Sequence, residues 1–255
     1  MPLGSEFAVS RLLPQGFSDQ QIVPPRGSKY RELYVQNIVN GTAGLSDEGT
    51  YFVGTNPTPL TAIATSGSIA TYAGSDTAPV AIIRNNDGLG GKRIYLDYLR
   101  MTMVVLPTTA NSWTFTWTLD NLPNKYTSGG SVITPVCPNM DLGAVSIAQL
   151  YFGAITAAAK SGNARLVSYG AWKSRATTPV AVLGDEVVFK FGGVEQASSN
   201  PQIQLAAGTP VLVTKNVVGV PPIVLAPGTL AQLGMFGTNN VGTPSFEFEW
   251  GWWER

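Results

Sequence analysis

Ser112-Trp113-Thr114-Phe115-Thr116-Trp117-Thr118-Leu119 is the stretch that decides the fold class of this chain. Trp113, Phe115, Trp117 and Leu119 share one side of an extended backbone, and Thr114, Thr116 and Thr118 share the other. That is the period-two pattern of a half-buried strand. A second such stretch closes the sequence, Ser245-Phe246-Glu247-Phe248-Glu249-Trp250-Gly251-Trp252-Trp253-Glu254-Arg255. Its aromatics at 246, 248, 250 and 252 fall on one face, with Glu247 and Glu249 on the other. Burial of a large apolar side chain is worth about 1.5–3 kcal/mol, so both aromatic faces are expected in a core. Trp253 points the opposite way and calls for another contact, such as an arm or a second subunit.

Working outward, Arg93–Leu106 also alternates, although its first half has two mixed faces. Tyr51–Val53, Ile69–Tyr72 and Val80–Arg84 are earlier strand candidates. Val132–Val136, Val180–Leu183, Glu186–Phe191, Ile203–Leu205, Pro210–Thr214, Ile223–Leu225 and Leu230–Phe236 follow. Ala144–Ala159 reads as strand in preference to helix, with Gly153 as a bend or bulge. Lys160-Ser161-Gly162-Asn163 is expected to close a hairpin into Ala164–Trp172. Asn121–Lys125 and Ser128–Gly130 read as turns. A dozen short strands at close spacing predict an all-β fold, an antiparallel β-sandwich over residues 32–255, with a jelly roll as the preferred subtype. A join of two smaller domains within Leu119–Gly143 is the alternative.

Before the sandwich, Met1–Phe7 reads as the remnant of a protease site and cloning junction. Residues 8–31 carry Arg11, Arg26, Lys29 and Arg31 against Asp19, broken by Pro14, Pro24 and Pro25. This is the pattern of an extended arm, able to lie along a neighbour in an assembly. Its charge is too sparse for a nucleic-acid tail, so direct nucleic-acid binding is not expected. No run of 18 apolar residues occurs, and no membrane-inserting helix is predicted.

Composition excludes several chemistries. Among 255 residues there is no histidine and one cysteine, which removes Ser–His–Asp and Cys–His centres, His-ligated zinc and an intrachain disulfide. Charged residues are 13% and formally balanced, which argues against a polycationic role. Asn85–Lys92 superficially suggests a phosphate loop, but its glycine spacing fails and Arg93 stands where a hydroxyl is needed. It reads as a flexible hairpin connection. Asp47-Glu48 and Asp185-Glu186 read as solvated turns, and Cys137, between prolines, as a buried or incidental thiol. Asn40-Gly41-Thr42 matches a glycosylation pattern that is too common to carry weight. No cofactor and no catalytic or metal-binding residue is expected. Tyr126 and Trp172 are the rings best placed for a saccharide platform, Trp172 lying beside Tyr169, Lys173 and Arg175.

The arm followed by a Gly/Pro/Thr-rich β domain resembles bacteriophage virion structural proteins. Ala226-Pro227-Gly228 and the closing run Phe246–Arg255 carry the sharper part of the likeness. The resemblance implies a non-enzymatic shell, decoration or tail component of the virion, assembled in symmetric copies and contacting other virion proteins. A trimer is the family-level expectation, and Arg11, Arg26, Lys29, Arg31 and Trp253 are the candidate interface residues. The competing expectation is a carbohydrate-binding β-sandwich module of a phage adhesive structure, using Tyr126 and Trp172.

Overall fold

The computed structural model describes residues 42–56, 67–68, 77–106, 113–172, 183–192, 200–206, 209–237 and 245–255, with backbone alone for 42, 67–68, 171–172, 200–206 and 209–214. The arm with Arg11, Arg26, Lys29 and Arg31, the Ile69–Tyr72 strand and most of Val180–Leu183 lie outside the described residues.

The expected β-sandwich is present. After a six-residue helix α1 (Thr42–Asp47), the strands are β1 (Tyr51–Thr55), β2 (Gly67–Ser68), β3 (Ala81–Asn85), β4 (Ile94–Val105), β5 (Trp113–Asp120), β6 (Tyr126–Ile133) and β7 (Ala148–Ala157). Then come β8 (Arg165–Trp172), β9 (Glu186–Phe191), β10 (Asn200–Ala206), β11 (Thr209–Val220), β12 (Val224–Leu225), β13 (Leu230–Gly237) and β14 (Ser245–Glu254). One sheet runs β1-β14-β4-β9-β11-β10 with β12 on β4, and the other β6-β7-β3-β13-β5-β8 with β2 on β13.

Setting aside β6–β7, β10–β11 and the two-residue strands leaves four strands in each sheet, β1-β14-β4-β9 and β3-β13-β5-β8. Counted along the chain, the eight run 1-8-3-6 and 2-7-4-5, the order of two interlocked Greek keys in a jelly roll. All their pairings are antiparallel. The expectation of a purely antiparallel sandwich needs one correction: β11 on β9 and β2 on β13 are parallel, and both involve strands added to the eight.

The core lies between the sheets, and aromatic rings make it. Trp117 meets Phe191 at a centroid distance of 5.0 Å, Phe189 at 5.5 Å and Trp250 at 5.7 Å, all edge to face. Phe152 reaches Phe248 at 4.6 Å, and Phe52 stacks near Trp252. Such edge-to-face pairs add to area burial because the positive ring edge meets a negative ring face. The alternating faces read from 112–119 and 245–252 therefore meet each other across the sandwich.

The mixed pattern of Arg93–Leu106 has a local cause. β14 pairs Gly251 with Tyr98 and then Trp252 with Leu96, leaving Asp97 as an extra residue; a second shift skips Val104. These bulges reset the phase, so Ile94 and Leu96 point inward before Asp97 and Leu99, Met101 and Met103 after it. In β7, Gly153 at φ +104° sits in a similar irregularity, as expected, and faces the left-handed Gly130 of β6. Ser128–Gly130 thus belongs to a bulged strand, where a turn was expected, because glycines absorb the extra residues that the bulges introduce.

Two hairpin expectations fail. β7 ends at Ala157 and β8 begins at Arg165, yet β3, β13 and β5 lie between them. β7 already has β6 and β3 as neighbours, so residues 158–164 cross the end of the sheet to its far edge. Likewise Asn85–Lys92 links β3 in one sheet to β4 in the other as an arch. Asn85 Nδ2 donates to Lys92 O at 2.8 Å and Leu225 O at 2.9 Å, and Asp87 accepts from the Gly88 and Lys92 amides. Asp185 is also not solvated: it is buried at the start of β9, its carbonyl accepting from Met103 N.

Candidate interaction face

The outward side of the β1-β14-β4-β9 sheet holds a dense set of tyrosines and charges. Register aligns Tyr51, Trp253 and Tyr95 in one row, Gly251, Tyr98 and Lys190 in the next, and Glu249 with Arg100 in a third. Tyr51 Oη donates to Asp97 Oδ2 at 3.0 Å, and Lys190 forms an ion pair with the same carboxylate. Tyr98 Oη donates to Glu249 Oε1 at 2.6 Å, and Arg100 pairs with Glu249. The bulge at Asp97 creates this arrangement by turning the carboxylate toward Tyr51 and Lys190.

Gly251 has a steric reason. A Cβ there would lie 2.3 Å from Tyr51 Oη and 2.4 Å from Tyr98 Cε1, so the absence of a side chain lets both phenols lie over the strand. Burial, followed by the Asp97 charge and hydrogen bond, pushes the Tyr51 phenol well above the ordinary tyrosine range. Burial and the Glu249 carboxylate do the same for Tyr98. Both hydroxyls thus stay protonated and remain donors at neutral pH. Beside them, Trp253 is half-buried and stacks parallel on Tyr95 at 5.5 Å, 2° between planes. This in-chain contact accounts for the ring that the sequence left over. At the margin, Thr55, Asn56, Arg100, Thr102, Glu247, Phe248 and Glu249 line a shallow depression of about 170 Å³. Chemically the face holds hydrogen-bond donors, acceptors and stacked rings.

A second polar group lies at the end of β5. Asp120 and Lys125 are fully buried with Nζ 3.6 Å from Oδ2. Asp120 also accepts from Ser161 Oγ and the amides of Asn121, Leu122 and Ser161, which ties down the crossing 158–164 segment. Burial pushes its carboxyl up, but the Ser161 hydroxyl and amide, the Asn121 amide and the Lys125 charge outweigh it and hold the group below its ordinary 3.8. A depressed carboxyl contributes stability above its unfolded value and loses it as pH falls through the folded one. Asp120→Asn is therefore expected to lower the thermal midpoint at about pH 7 and to shrink the further drop on going to about pH 2. An unchanged acid drop in the variant would assign the acid sensitivity elsewhere.

The residues singled out for glycan binding are not brought together. Tyr126 is on β6 and Trp172 on β8, the two opposite edges of one sheet, five strand spacings or roughly 24 Å apart. Tyr126 stacks on Tyr151 at 3.8 Å, and its hydroxyl donates to Gly129 O. The Trp172 backbone pairs with Trp113; its side chain is outside the described residues. Cys137 is a half-buried free thiol. Among the described residues no cluster of three or more Cys, Asp or Glu is arranged to hold a metal ion, and no helix is long and apolar enough to cross a membrane. Sequence reasoning missed Tyr51, Tyr95, Asp97 and Tyr98 as a group; the mixed faces of 93–106 were the available signal.

The fold defines the class: a two-sheet jelly-roll sandwich with a hairpin added to each sheet. Beyond that class, neither protein-family models nor curated proteins nor solved structures match the chain.

Proposed function

We propose that this chain is a non-enzymatic virion structural or capsid-decoration protein that works through self-assembly and protein–protein contacts. The observation that carries the reading is the wound order of the eight core strands, an architecture used by viral capsid domains as well as lectins. The aromatic core makes a stiff slab whose flanks and outward faces hold fixed positions. Sedimentation velocity of the chain with and without residues 8–31 tests it. Association that grows with concentration, weakened by removing the arm, is the expected result. A concentration-independent monomer in both forms would remove the basis for self-assembly.

The carbohydrate reading keeps one specific support, the stacked Tyr126–Tyr151 pair at a sheet edge. A glycan screen of the chain and of its Tyr126→Ala and Trp172→Ala forms decides it. Binding lost in either variant would favour an adhesive module over a shell or decoration role.

A further inference from the structure

The described surface carries twelve exposed large hydrophobic side chains, and five of them, Val132, Val136, Met140, Leu142 and Val145, lie on one stretch of fourteen residues. This stretch leaves β6, bridges Val136 to Val53 of β1, and passes over α1 before entering β7. Asn139 Nδ2 donates to Asp47 O, and Leu142 packs over Gly49. It thus closes one flank of the sandwich with its apolar side chains outward, Met140 at 97% and Val145 at 83% exposure. A cluster of that kind on a folded surface marks a contact site more often than an isolated exposed leucine does. Asp47 and Asp141 border it, exposed and without an ion pair among the described residues.

The far edge of the β6-to-β8 sheet is complementary. Edge strand β8 exposes Leu166 and Tyr169, and beside them Lys160 and Arg165 are exposed without an ion pair among the described residues. One flank is apolar with acidic neighbours, and the opposite one is apolar with basic neighbours. Strand addition between the two edges is disfavoured, because the bulges at Thr127 and Gly130 break the regular row of β6 hydrogen-bonding groups. Side chains must make the contact.

We propose that the 132–145 flank docks the β8 edge of a second copy of this chain, head to tail. This names the partner for the assembly reading above and rests on it. A head-to-tail contact repeats from copy to copy and closes into a ring or runs on, whereas a self-complementary contact stops at two.

The test compares, in sedimentation velocity, the wild-type chain, two variants, their mixture, and the wild-type chain and first variant without residues 8–31. Met140→Glu/Val145→Glu and Leu166→Glu/Tyr169→Glu are each expected to weaken association by about tenfold or more, since both place charge in the contact. The altered positions are exposed, so the thermal midpoint should hold and report an intact fold. Mixing the two variants in equal amounts is expected to give dimers that do not grow, because each variant keeps one good flank. Association undiminished in both variants would overturn the inference while leaving self-assembly standing. Monomers in the mixture would replace head-to-tail docking with another geometry and also overturn it. If removing residues 8–31 weakens association as much as the first variant does, and combining the two changes weakens it no further, the flank's occupant is the arm and the proposal fails. A wild-type chain that stays monomeric at every concentration overturns both this docking and the assembly reading.

Discussion

Trp117→Ala is expected to lower the free energy of unfolding by about 3–5 kcal/mol, the cost of deleting a large buried aromatic. Trp117 is 1% exposed and sits where β5 meets both β9 and β14 across the sandwich, touching Phe189, Phe191 and Trp250 edge to face. Removing the indole leaves three rings facing a void that a close-packed interior only partly collapses. For a domain of this size the thermal midpoint should fall by roughly 10 °C. Trp117→Phe separates packing from polarity. The indole Nε1 has no hydrogen-bond partner among the described residues, so phenylalanine keeps much of the ring contact and gives up no bond. Its expected loss is about 1–2 kcal/mol. Urea denaturation of the three proteins provides the comparison. An alanine variant losing under about 1 kcal/mol would mean that Trp117 is not central to the core.

Glu254→Ala is the second large effect, expected at roughly 3 kcal/mol. The carboxylate is 1% exposed, yet it is not stranded. Ser146 Oγ donates to it, the Ile147 amide reaches both oxygens at 3.2 Å, and Trp252 Nε1 donates at 3.1 Å. These bonds join the last strand of one sheet to the segment leading into β7 of the other. Alanine leaves an amide, a hydroxyl and an indole N–H without their acceptor, and unsatisfied buried donors cost more than a hydrogen bond contributes. Glu254→Gln retains one acceptor oxygen but turns an NH₂ toward the same donors, so it should recover only part of the loss. Equal stability of Glu254→Ala and the parent protein in urea would show that the carboxylate network contributes nothing net.

Both effects are structural, and both bear on the proposed assembly through rigidity. Docking surfaces on opposite flanks keep a fixed separation only if the sheets between them do not slide. Trp117 and Glu254 each pin one sheet against the other, one by ring packing and one by hydrogen bonds. The outward Tyr51–Asp97–Lys190 and Tyr98–Glu249–Arg100 groups act within a single sheet instead, joining β1, β14, β4 and β9 side to side.

How much of this was legible in the residues varies by element. Ser112–Leu119 and Ser245–Trp252 were readable as strands, faces included, because alternation is a property of one extended backbone. The same reasoning placed the break at Gly153, since a glycine inside an alternating run marks a bulge. It failed at Lys160–Asn163 and at Asn85–Lys92, where turn-forming residues were taken to join neighbours. Turn chemistry states that the chain changes direction; it does not state whether the next strand lies alongside, in the other sheet or at the far edge. Trp253 shows the same division. Its odd phase was visible, but its partner Tyr95 lies 158 positions away.

By itself, then, the sequence determined that the chain is all-β, which faces of its strongest strands are buried, and that these 255 residues include no histidine. The tertiary structure alone decided the jelly-roll order, the gathering of Tyr51, Asp97, Tyr98 and Lys190, and the separation of Tyr126 from Trp172. The reason is range. Side-chain periodicity follows from local backbone geometry, whereas strand pairing is selected by how all the apolar faces can be covered at once, and no single segment carries that information.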